Sequence, residues 1–524
     1  MDDSKISAHD SSSPTNTKDA DIEVPLVDPE KSTWERLWPA MACGAGLFVS
    51  SSGKKVTTRL KNLAQDVADA ENIFPSIHEY LIHANPLFVS SGQSDGYLQS
   101  VIGPVNTILS TLYPVKYAQS SAVSNVTSIA FAGTVLGQLV FGYTSDSWSR
   151  KWTLLVSTVI LIVFAALGAG SYGAGGSVSG LLAALTAYRF LLGIGIGFVL
   201  FTNVQIDFGF VAGTLVGCIV TAIAPHHLHA VWRICLGLGV IPPLSLLYLR
   251  IKLKEPEAFS REKFEKKVPY WLALKFYGPR LAVVCVIWFI YDFLTYPFSI
   301  FSSSWLDTIA PDRDLWQNFG WSTVINCFYL PGAIAGAFLS DRLGPRLALS
   351  VFVAAQGIVG FIMSGCYPWL KLPENVGGFV VVYGIFLSLG EMGPGDNIGL
   401  VAAKSCATGI RGKYYAIAAA CGKVGGFVGN YIFPYIIADG GGTDSVKGGQ
   451  YPFYVASSLC LLSACIVWLL PRIDQDTIEK EDRRFRAYLV ENGWDVSTMG
   501  DEGWREKRRA SLAAQGMEGK EKEY

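Results

Sequence analysis

The chain has 524 residues, of which 50% are hydrophobic and only 16% are charged. A soluble domain keeps roughly a quarter of its residues charged, so a chain of this composition needs lipid as part of its solvent. The formal net charge of −1 argues against nucleic-acid binding, which requires a strongly basic surface.

The residue types that carry catalytic chemistry are scattered along the chain. The 10 cysteines form no CxxC pair, so the sequence indicates neither a disulfide framework nor a metal site. No arrangement of nucleophile and base is visible either. We therefore expect a protein that is not an enzyme and that holds no metal and no cofactor.

The chain begins with a polar segment at residues 1–34. It lacks an apolar core preceded by positive charge, so we expect a cytosolic N-terminal tail rather than a signal peptide. A spanning helix needs about 20 mostly apolar residues. With an interrupted helix near the start, the predicted total is about a dozen, and the other candidates are Val126–Tyr143, Trp152–Gly170, Leu181–Gly197, Phe198–Ala222, Trp232–Leu249, Leu281–Phe301, Trp316–Leu339, Leu347–Cys366, Gly378–Ala402, Tyr414–Ala438 and Phe453–Leu470.

Basic residues between the apolar segments predict the orientation, because such loops remain in the cytosol. The longest polar stretch, a central loop at 251–279, divides the chain into an N-terminal bundle at 35–250 and a C-terminal bundle at 280–472. The charged tail at 473–524 should also be cytosolic, with a short amphipathic helix at Ile478–Leu489. Both termini are therefore expected in the cytosol.

A charged motif follows the first clear candidate helix. In Gly142-Tyr-Thr-Ser-Asp146-Ser-Trp-Ser-Arg150-Lys151, the glycine allows close helix contact, and the charges can latch neighbouring helix ends. It matches the G-x-x-x-D-x-x-G-R-K signature of the major facilitator superfamily, with Ser149 in place of the second glycine. A degraded copy of this gating motif recurs in the second half, from Asp341 to Arg346.

Within that superfamily, the chain resembles the fungal glycerophosphoinositol permeases, relatives of the proton–phosphate symporters. The segments that carry the resemblance include Ser94–Leu98, Asn125–Asp146, Arg189–Gly197, Trp232–Gly239, Trp288–Phe301, Gly390–Cys406 and Gly409–Gly426. The resemblance implies an all-α membrane protein of the major facilitator fold, with two six-helix bundles around a central cavity. It also implies a monomer in the plasma membrane.

The same resemblance implies proton-coupled uptake of a glycerophosphodiester such as glycerophosphoinositol or glycerophosphocholine. The expected partners are this small organophosphate, the coupling proton and the lipid bilayer, with no nucleic acid. Two alternatives stay open: an inorganic phosphate–proton symporter, and a non-transporting sensor or inactive paralogue.

Asp292 lies in the middle of a candidate helix, with Trp288 and Tyr296 four residues on either side. All three therefore share one helix face. Charge within the membrane is costly and is retained mainly along a transport pathway, although Asp292 could instead be a structural partner of a neighbouring helix. The resemblance implies that this stripe contacts the substrate and that Asp292 takes part in proton coupling.

Lys423 lies deep in a later apolar run and needs an anionic partner, either Asp292 or a bound phosphate group. The alternative is that it reaches the membrane interface. The segment Gly393-Pro-Gly-Asp396-Asn397 should break its helix, as is common at transporter sites. By resemblance Asn397 contacts the substrate, whereas Asp396 could be structural.

In the first half, Asp95 resembles the acid that carries the coupled proton. Arg189 and Gln205 could complete the polar lining of the site. Asn203 or Asp207 could serve in place of Gln205, and Arg189 could equally be structural.

The first half departs from the family at two places. Residues 49–93 form an atypical insertion in the first helix, and at the 197/198 junction the family's acid-Tyr-Pro motif is missing. Orientation then requires Leu181–Ala222 to form two helices with almost no turn between them. We hypothesise that residues 49–93 are translated intron and that coding sequence is lost at the junction. The alternative is a diverged paralogue.

Overall fold

The computed structural model describes residues 94–147, 150–197, 203–251, 269–442, 445–473, 477–494 and 496. Within this part of the chain every regular element is helical. Our predictions for the tail at 1–34, the insertion at 49–93 and the segment directly after Gly197 lie outside the described residues.

The helices of the first half follow one another with short connections. Residues 94–100 are helical and lead directly into α1, so the segment with Ser94 and Asp95 is part of a helix. The helices are α1 (Ile102–Leu112), α2 (Ala122–Ser147), α3 (Arg150–Ala169), α4 (Val178–Ile196), α5 (Asn203–Ile223), α6 (Leu228–Leu238) and α7 (Ile241–Ile251).

The second half repeats this plan with more interruptions. Its helices are α8 (Tyr270–Ile300), α9 (Ser302–Ile309), α10 (Leu315–Cys327), α11 (Tyr329–Leu343), α12 (Pro345–Leu370), α13 (Val376–Gly390), α14 (Asp396–Lys404), α15 (Arg411–Asp439), α16 (Val446–Ile466) and α17 (Thr477–Glu491). Among the described residues, 11 helical segments are long and apolar enough to cross a membrane, and they correspond one to one to the eleven candidates predicted from the sequence. The all-α fold of two six-helix bundles is confirmed.

Close packing of α8 on α15 positions the centre of the second half. A Cβ atom added at Gly425 of α15 would lie 2.2 Å from the carbonyl oxygen of Phe289 in α8. Glycine here lets the two backbones approach directly, which is how membrane helices gain packing energy without a hydrophobic driving force. The two bundles meet where α2 packs on α15 and α5 packs on α10.

The stretch at 181–222 contains two separate helices, α4 and α5, as the orientation of the charged loops requires. They pack in different places, because α4 lies mainly on α2 and α3, whereas α5 lies mainly on α10.

One boundary is corrected by the structure. We predicted a loop through residue 279, but α8 begins at Tyr270. Its first turns are held by the C-terminal helix α17: the ring of Tyr277 lies 5.4 Å from that of Phe485, and Phe485 and Leu489 are buried. The predicted amphipathic helix in the tail is confirmed, and its apolar face packs against the first turns of α8.

Polar contacts also fix α17. Arg280 of α8 forms a salt bridge of 3.2 Å with Glu481. Asp482 accepts hydrogen bonds from the backbone N–H of Thr408, at 2.6 Å, and from its hydroxyl, at 2.8 Å. The C-terminal helix is thus tied to the start of α8 and to the connection before α15.

Candidate functional site

The aromatic–acid–aromatic stripe lies on the buried face of α8. Trp288, Asp292 and Tyr296 are 8%, 2% and 6% exposed. Their spacing of four residues places them one above another along the helix. The stripe therefore faces the interior of the protein and not the lipid.

Lys423 of α15 reaches this stripe. Its Nζ lies 2.9 Å from Oδ2 of Asp292, and the side chains are 13% and 3% exposed. The ammonium also donates a hydrogen bond to the hydroxyl of Tyr296 and lies 4.2 Å from the centroid of that ring. Of the two partners that the sequence offered to Lys423, the structure therefore contains the carboxylate.

Rings from the first half cover the pair. Phe131 of α2 lies 4.6 Å from the ring of Tyr296, and Phe210 of α5 lies 6.2 Å from it. Phe210 also stacks at 5.7 Å on Tyr329 of α11. The ion pair therefore lies where the two bundles meet, as the site of an alternating-access transporter must.

The bundles touch at both ends of the membrane domain. At the end with the basic loops, a Cβ atom on Gly142 would lie 2.3 Å from Cβ of Ala416, and Nζ of Lys413 lies 5.4 Å from the ring of Tyr143. At the opposite end, the hydroxyls of Thr107 and Ser303 are 3.2 Å apart. Among the described residues, the two bundles are thus in contact at both ends, and the stripe lies buried between these contacts.

The predicted break in the helix before Asn397 is confirmed. Gly393 has φ −90° and ψ −106° within the π-helical segment Glu391–Gly395, between α13 and α14. The Asn397 amide donates to the carbonyls of Met392 and Gly393, at 3.2 and 2.8 Å, while its Oδ1 is buried without a hydrogen-bond partner. Asn397 thus stabilises the interrupted backbone, and its Oδ1 remains available as a hydrogen-bond acceptor.

The first-half candidates lie in different surroundings. Arg189 is 3% exposed and donates from Nε to the carbonyl of Val126, at 2.9 Å, so it ties α4 to α2. Asp95 is 2% exposed, its Oδ2 has no hydrogen-bond partner, and it interacts electrostatically with Arg250 and, less strongly, with Lys423. The side chain of Gln205 lies outside the described part of the chain.

The gating motif is described in part. The side chains of Asp146, Arg150 and Lys151 lie outside the described residues. In the second copy, Asp341 is exposed, and Arg346 donates to the carbonyl of Trp468, at 2.8 Å. Arg346 thus binds the end of α16, where carbonyl groups lack partners within the helix.

Sequence reasoning missed Glu391. It is 5% exposed, and its Oε1 accepts a hydrogen bond of 2.5 Å from the hydroxyl of Tyr291. Glu391 also interacts electrostatically with Lys423 and Asp292. An acid beside the Gly-Pro-Gly break was the available signal, because an ionisable group at a helix break inside the membrane marks a site by default.

A helical membrane protein with a buried, charged site between two bundles has the architecture of a secondary transporter of the major facilitator type. The family model for the sugar (and other) transporters matches residues 85–204 and 260–485. Among solved structures, the proton:xylose symporter XylE bound to 6-bromo-6-deoxy-D-glucose has a TM-score of 0.61 at 17% identity, covering 78% of this chain and 99% of that chain. At this identity the likeness shows the fold alone.

Two relatives from Candida albicans are closer in sequence. A glycerophosphocholine permease is 45% identical over 501 residues, covering 90% of this chain and 85% of its own length. The major glycerophosphoinositol permease is 40% identical over 523 residues, covering 93% of this chain and 88% of its own. The chain belongs to the fungal glycerophosphodiester permeases within the sugar (and other) transporter family of the major facilitator superfamily.

Proposed function

We propose that the chain takes up a glycerophosphodiester together with a proton. The plasma membrane is the expected location, with both termini in the cytosol. The observation that carries the proposal is the buried pair of Lys423 and Asp292, 2.9 Å apart. The names of the two Candida permeases support the class of substrate.

The mechanism follows from the charges at this pair. A phosphodiester carries one negative charge, and it can take the place of the Asp292 carboxylate beside the Lys423 ammonium. The displaced carboxylate would then be an unpaired buried charge, at a cost of several kcal/mol. A proton on Asp292 removes this cost, so binding of the anion and binding of the proton favour each other. The site stays neutral throughout.

Tyr296 and Trp288 complete this exchange. The Tyr296 hydroxyl already contacts the Lys423 ammonium, so it is placed to hydrogen-bond a phosphate oxygen there. Trp288 lies one helix turn before Asp292, and the centroid of its ring is 5.4 Å from that of Tyr415. Asn397 offers its free Oδ1 to a substrate hydroxyl, and Asp95 offers a second place for a proton near Lys423. Arg189 keeps a supporting role in holding the two first-half helices together.

Purified protein in liposomes tests the proposal. We expect uptake of radiolabelled glycerophosphoinositol or glycerophosphocholine that rises when the outside is made acidic, and little competition from excess inorganic phosphate. Strong competition by phosphate would favour a phosphate symporter instead. Specific binding without uptake would favour a sensor and would contradict the transport claim.

A further inference from the structure

A cavity of about 370 Å³ lies where the C-terminal helix α17 meets the membrane domain. Its walls come from Arg280 of α8, from Ser405 directly after α14, from residues 471–473 after α16, and from the first turns of α17. Asp292 follows Arg280 by 12 residues, which at a rise of about 1.5 Å per residue is roughly 18 Å along α8. The cavity is therefore separate from the proposed transport site.

Positive charge dominates the walls of this cavity. Five of the described lining residues are basic and one is acidic, which leaves an excess of four positive charges. The basic residues, which we call the basic cluster, are Arg280, Arg472, Lys480, Arg483 and Arg484. The acid, Glu481, is shared by two of them, at 3.2 Å from Arg280 and 3.4 Å from Arg484. The excess of positive charge makes the cavity attractive to anions.

The carboxylate closest to the rest of the basic cluster gives little compensation. Arg483 lies 3.7 Å from Glu479, but the two side chains are 83% and 75% exposed, and solvent weakens an ion pair at such a position. The other exposed bases stand at the mouth of the cavity in the same way, since Arg472 and Lys480 are also exposed. The charge is thus directed towards the surroundings of the protein and not towards its own core.

The size of the cavity and its donors limit the kind of anion. Guanidinium groups bind phosphate oxygens two at a time, and four of the five basic residues are arginines. Ser405 also lines the cavity, and its hydroxyl makes no hydrogen bond to the described residues. A volume of about 370 Å³ is near the lower end for small-molecule sites, about 300–1,000 Å³. These features suit a small group that carries more than one phosphate.

The neighbouring side chains place the cavity at the depth of lipid head groups. Trp468 and Leu469, which come shortly before residues 471–473, are 57% and 72% exposed. Exposed tryptophan is typical of the boundary between membrane and water, and basic pockets at the cytosolic ends of membrane helices suit phosphorylated head groups. With the C-terminus in the cytosol, as proposed above, the cavity faces the cytosolic leaflet.

We propose that the basic cluster and Ser405 bind a phosphorylated head group, and that the bound group holds α17 against the ends of α8 and α16. Two sources share this chemistry, a phospholipid of the cytosolic leaflet and a soluble phosphate ester. The depth of the cavity favours the lipid. Binding here is additional to transport and involves neither Lys423 nor Asp292.

Thermal unfolding of the purified full-length protein in detergent is the first test. A saturating amount of short-chain phosphatidylinositol bisphosphate should raise the thermal midpoint by roughly 3 °C, because a ligand that binds only the folded protein stabilises it. Short-chain phosphatidylcholine should not raise it. The free head group, inositol trisphosphate, should raise it much less, and an equal rise would assign the site to soluble phosphate esters. No rise with either phosphorylated compound would overturn the proposal.

Variants locate the binding. Arg472→Gln combined with Arg483→Gln removes two exposed charges of the basic cluster and leaves the Arg280–Glu481 pair in place, so the midpoint without ligand should hardly change. The rise caused by the lipid should be mostly lost. Lys275→Gln removes an exposed charge of α8 outside the cavity and should keep the full rise. An undiminished rise in the double variant would place the binding elsewhere, the transport site included, and overturn the inference. Because no transport is measured, this outcome leaves the proposed function untouched.

Discussion

Two ion pairs each use one residue of helix α8. They differ in the number of charged partners that the carboxylate has. Lys423 and Asp292 lie 2.9 Å apart in the membrane interior, and outside this pair the Lys423 ammonium contacts only Tyr296 among the contacts described. Arg280 and Glu481 lie 3.2 Å apart near the C-terminal helix. There Arg280 also donates to the Ser405 carbonyl, at 2.8 Å.

The second pair is a node in a network, because Glu481 also contacts Arg484 and the neighbouring Asp482 caps Thr408. A charge with several partners stays in place when one is lost, because the remaining partners still hold it. In the first pair, Lys423 is the single ion-pair partner of Asp292 among the described residues, so a ligand can take the place of that carboxylate. This difference makes the Lys423–Asp292 pair, and not the Arg280–Glu481 pair, the candidate for exchange with a ligand.

The largest effect should follow from breaking the Lys423–Asp292 pair. Lys423→Met removes the cation proposed to bind the phosphate and leaves Asp292 buried alone, so uptake should fall by about a hundredfold or more. Arg280→Met leaves Glu481 paired with Arg484 and lies outside the proposed transport site, so uptake should fall much less. Uptake rates normalised to the amount of protein at the cell surface measure both.

Lys447→Met is the matched control for charge removal, since Lys447 is exposed near the start of α16. It should behave as the unmodified protein. Equal losses in the Lys423 and Arg280 variants would contradict the distinction between the two pairs.

The next effect concerns coupling. Asp292→Asn keeps the size of the side chain but cannot take up or release a proton, so it should abolish acid-stimulated net uptake. Exchange of internal for external substrate needs no net proton movement and should persist within a few-fold. Uptake measured across a series of external pH values, beside an exchange assay, checks this. Full acid-stimulated uptake by the variant would remove Asp292 from the coupling step.

A smaller effect should come from disturbing the packing of α8 on α15, which positions the Lys423–Asp292 pair. Gly425→Ala places a methyl group 2.2 Å from a backbone oxygen of α8, so the helices must separate, at a cost of about 1–3 kcal/mol. The thermal midpoint of the purified protein in detergent should fall. Gly365→Ala on α12, where a Cβ atom meets nothing within 4 Å, should leave the midpoint nearly unchanged. Equal midpoints in the two variants would argue against the close contact.

The smallest effect should be at the C-terminal helix. Asp482→Ala removes two hydrogen bonds to Thr408, each worth about 1 kcal/mol, while the buried Phe485 and the Arg280–Glu481 pair still hold α17. Amide hydrogen exchange in α17 should quicken, with little change in uptake. Glu491→Ala, an exposed change at the last residue of the helix, serves as the control. Unchanged exchange in the Asp482 variant would show that this cap is dispensable.

The membrane helices and the stripe on α8 were predictable because both depend on local periodicity. Apolar runs of sufficient length can only be spanning helices, and a spacing of four residues fixes which side chains share a face. The break at Gly393 was predictable for the same reason, since proline and glycine act on their own segment.

Contacts between distant segments were not fully predictable. The sequence left Lys423 with two possible partners, and only the packing of α8 on α15 brings it to Asp292. It offered Asp207 only as a substitute for Gln205, and it missed Glu391 and its bond to Tyr291. Such acids become recognisable when helices from different parts of the chain are assembled. The early start of α8 was not predicted for the same reason, since its first turns pack on the distant tail helix α17.

The most direct test of the central claim is to follow the internal pH of liposomes that contain the purified protein when substrate is added outside. With no imposed gradient, glycerophosphoinositol or glycerophosphocholine should acidify the interior as it enters, and the Asp292→Asn variant should show no acidification. Entry of substrate into wild-type liposomes without acidification would contradict coupling at Asp292 and the exchange of partners at Lys423.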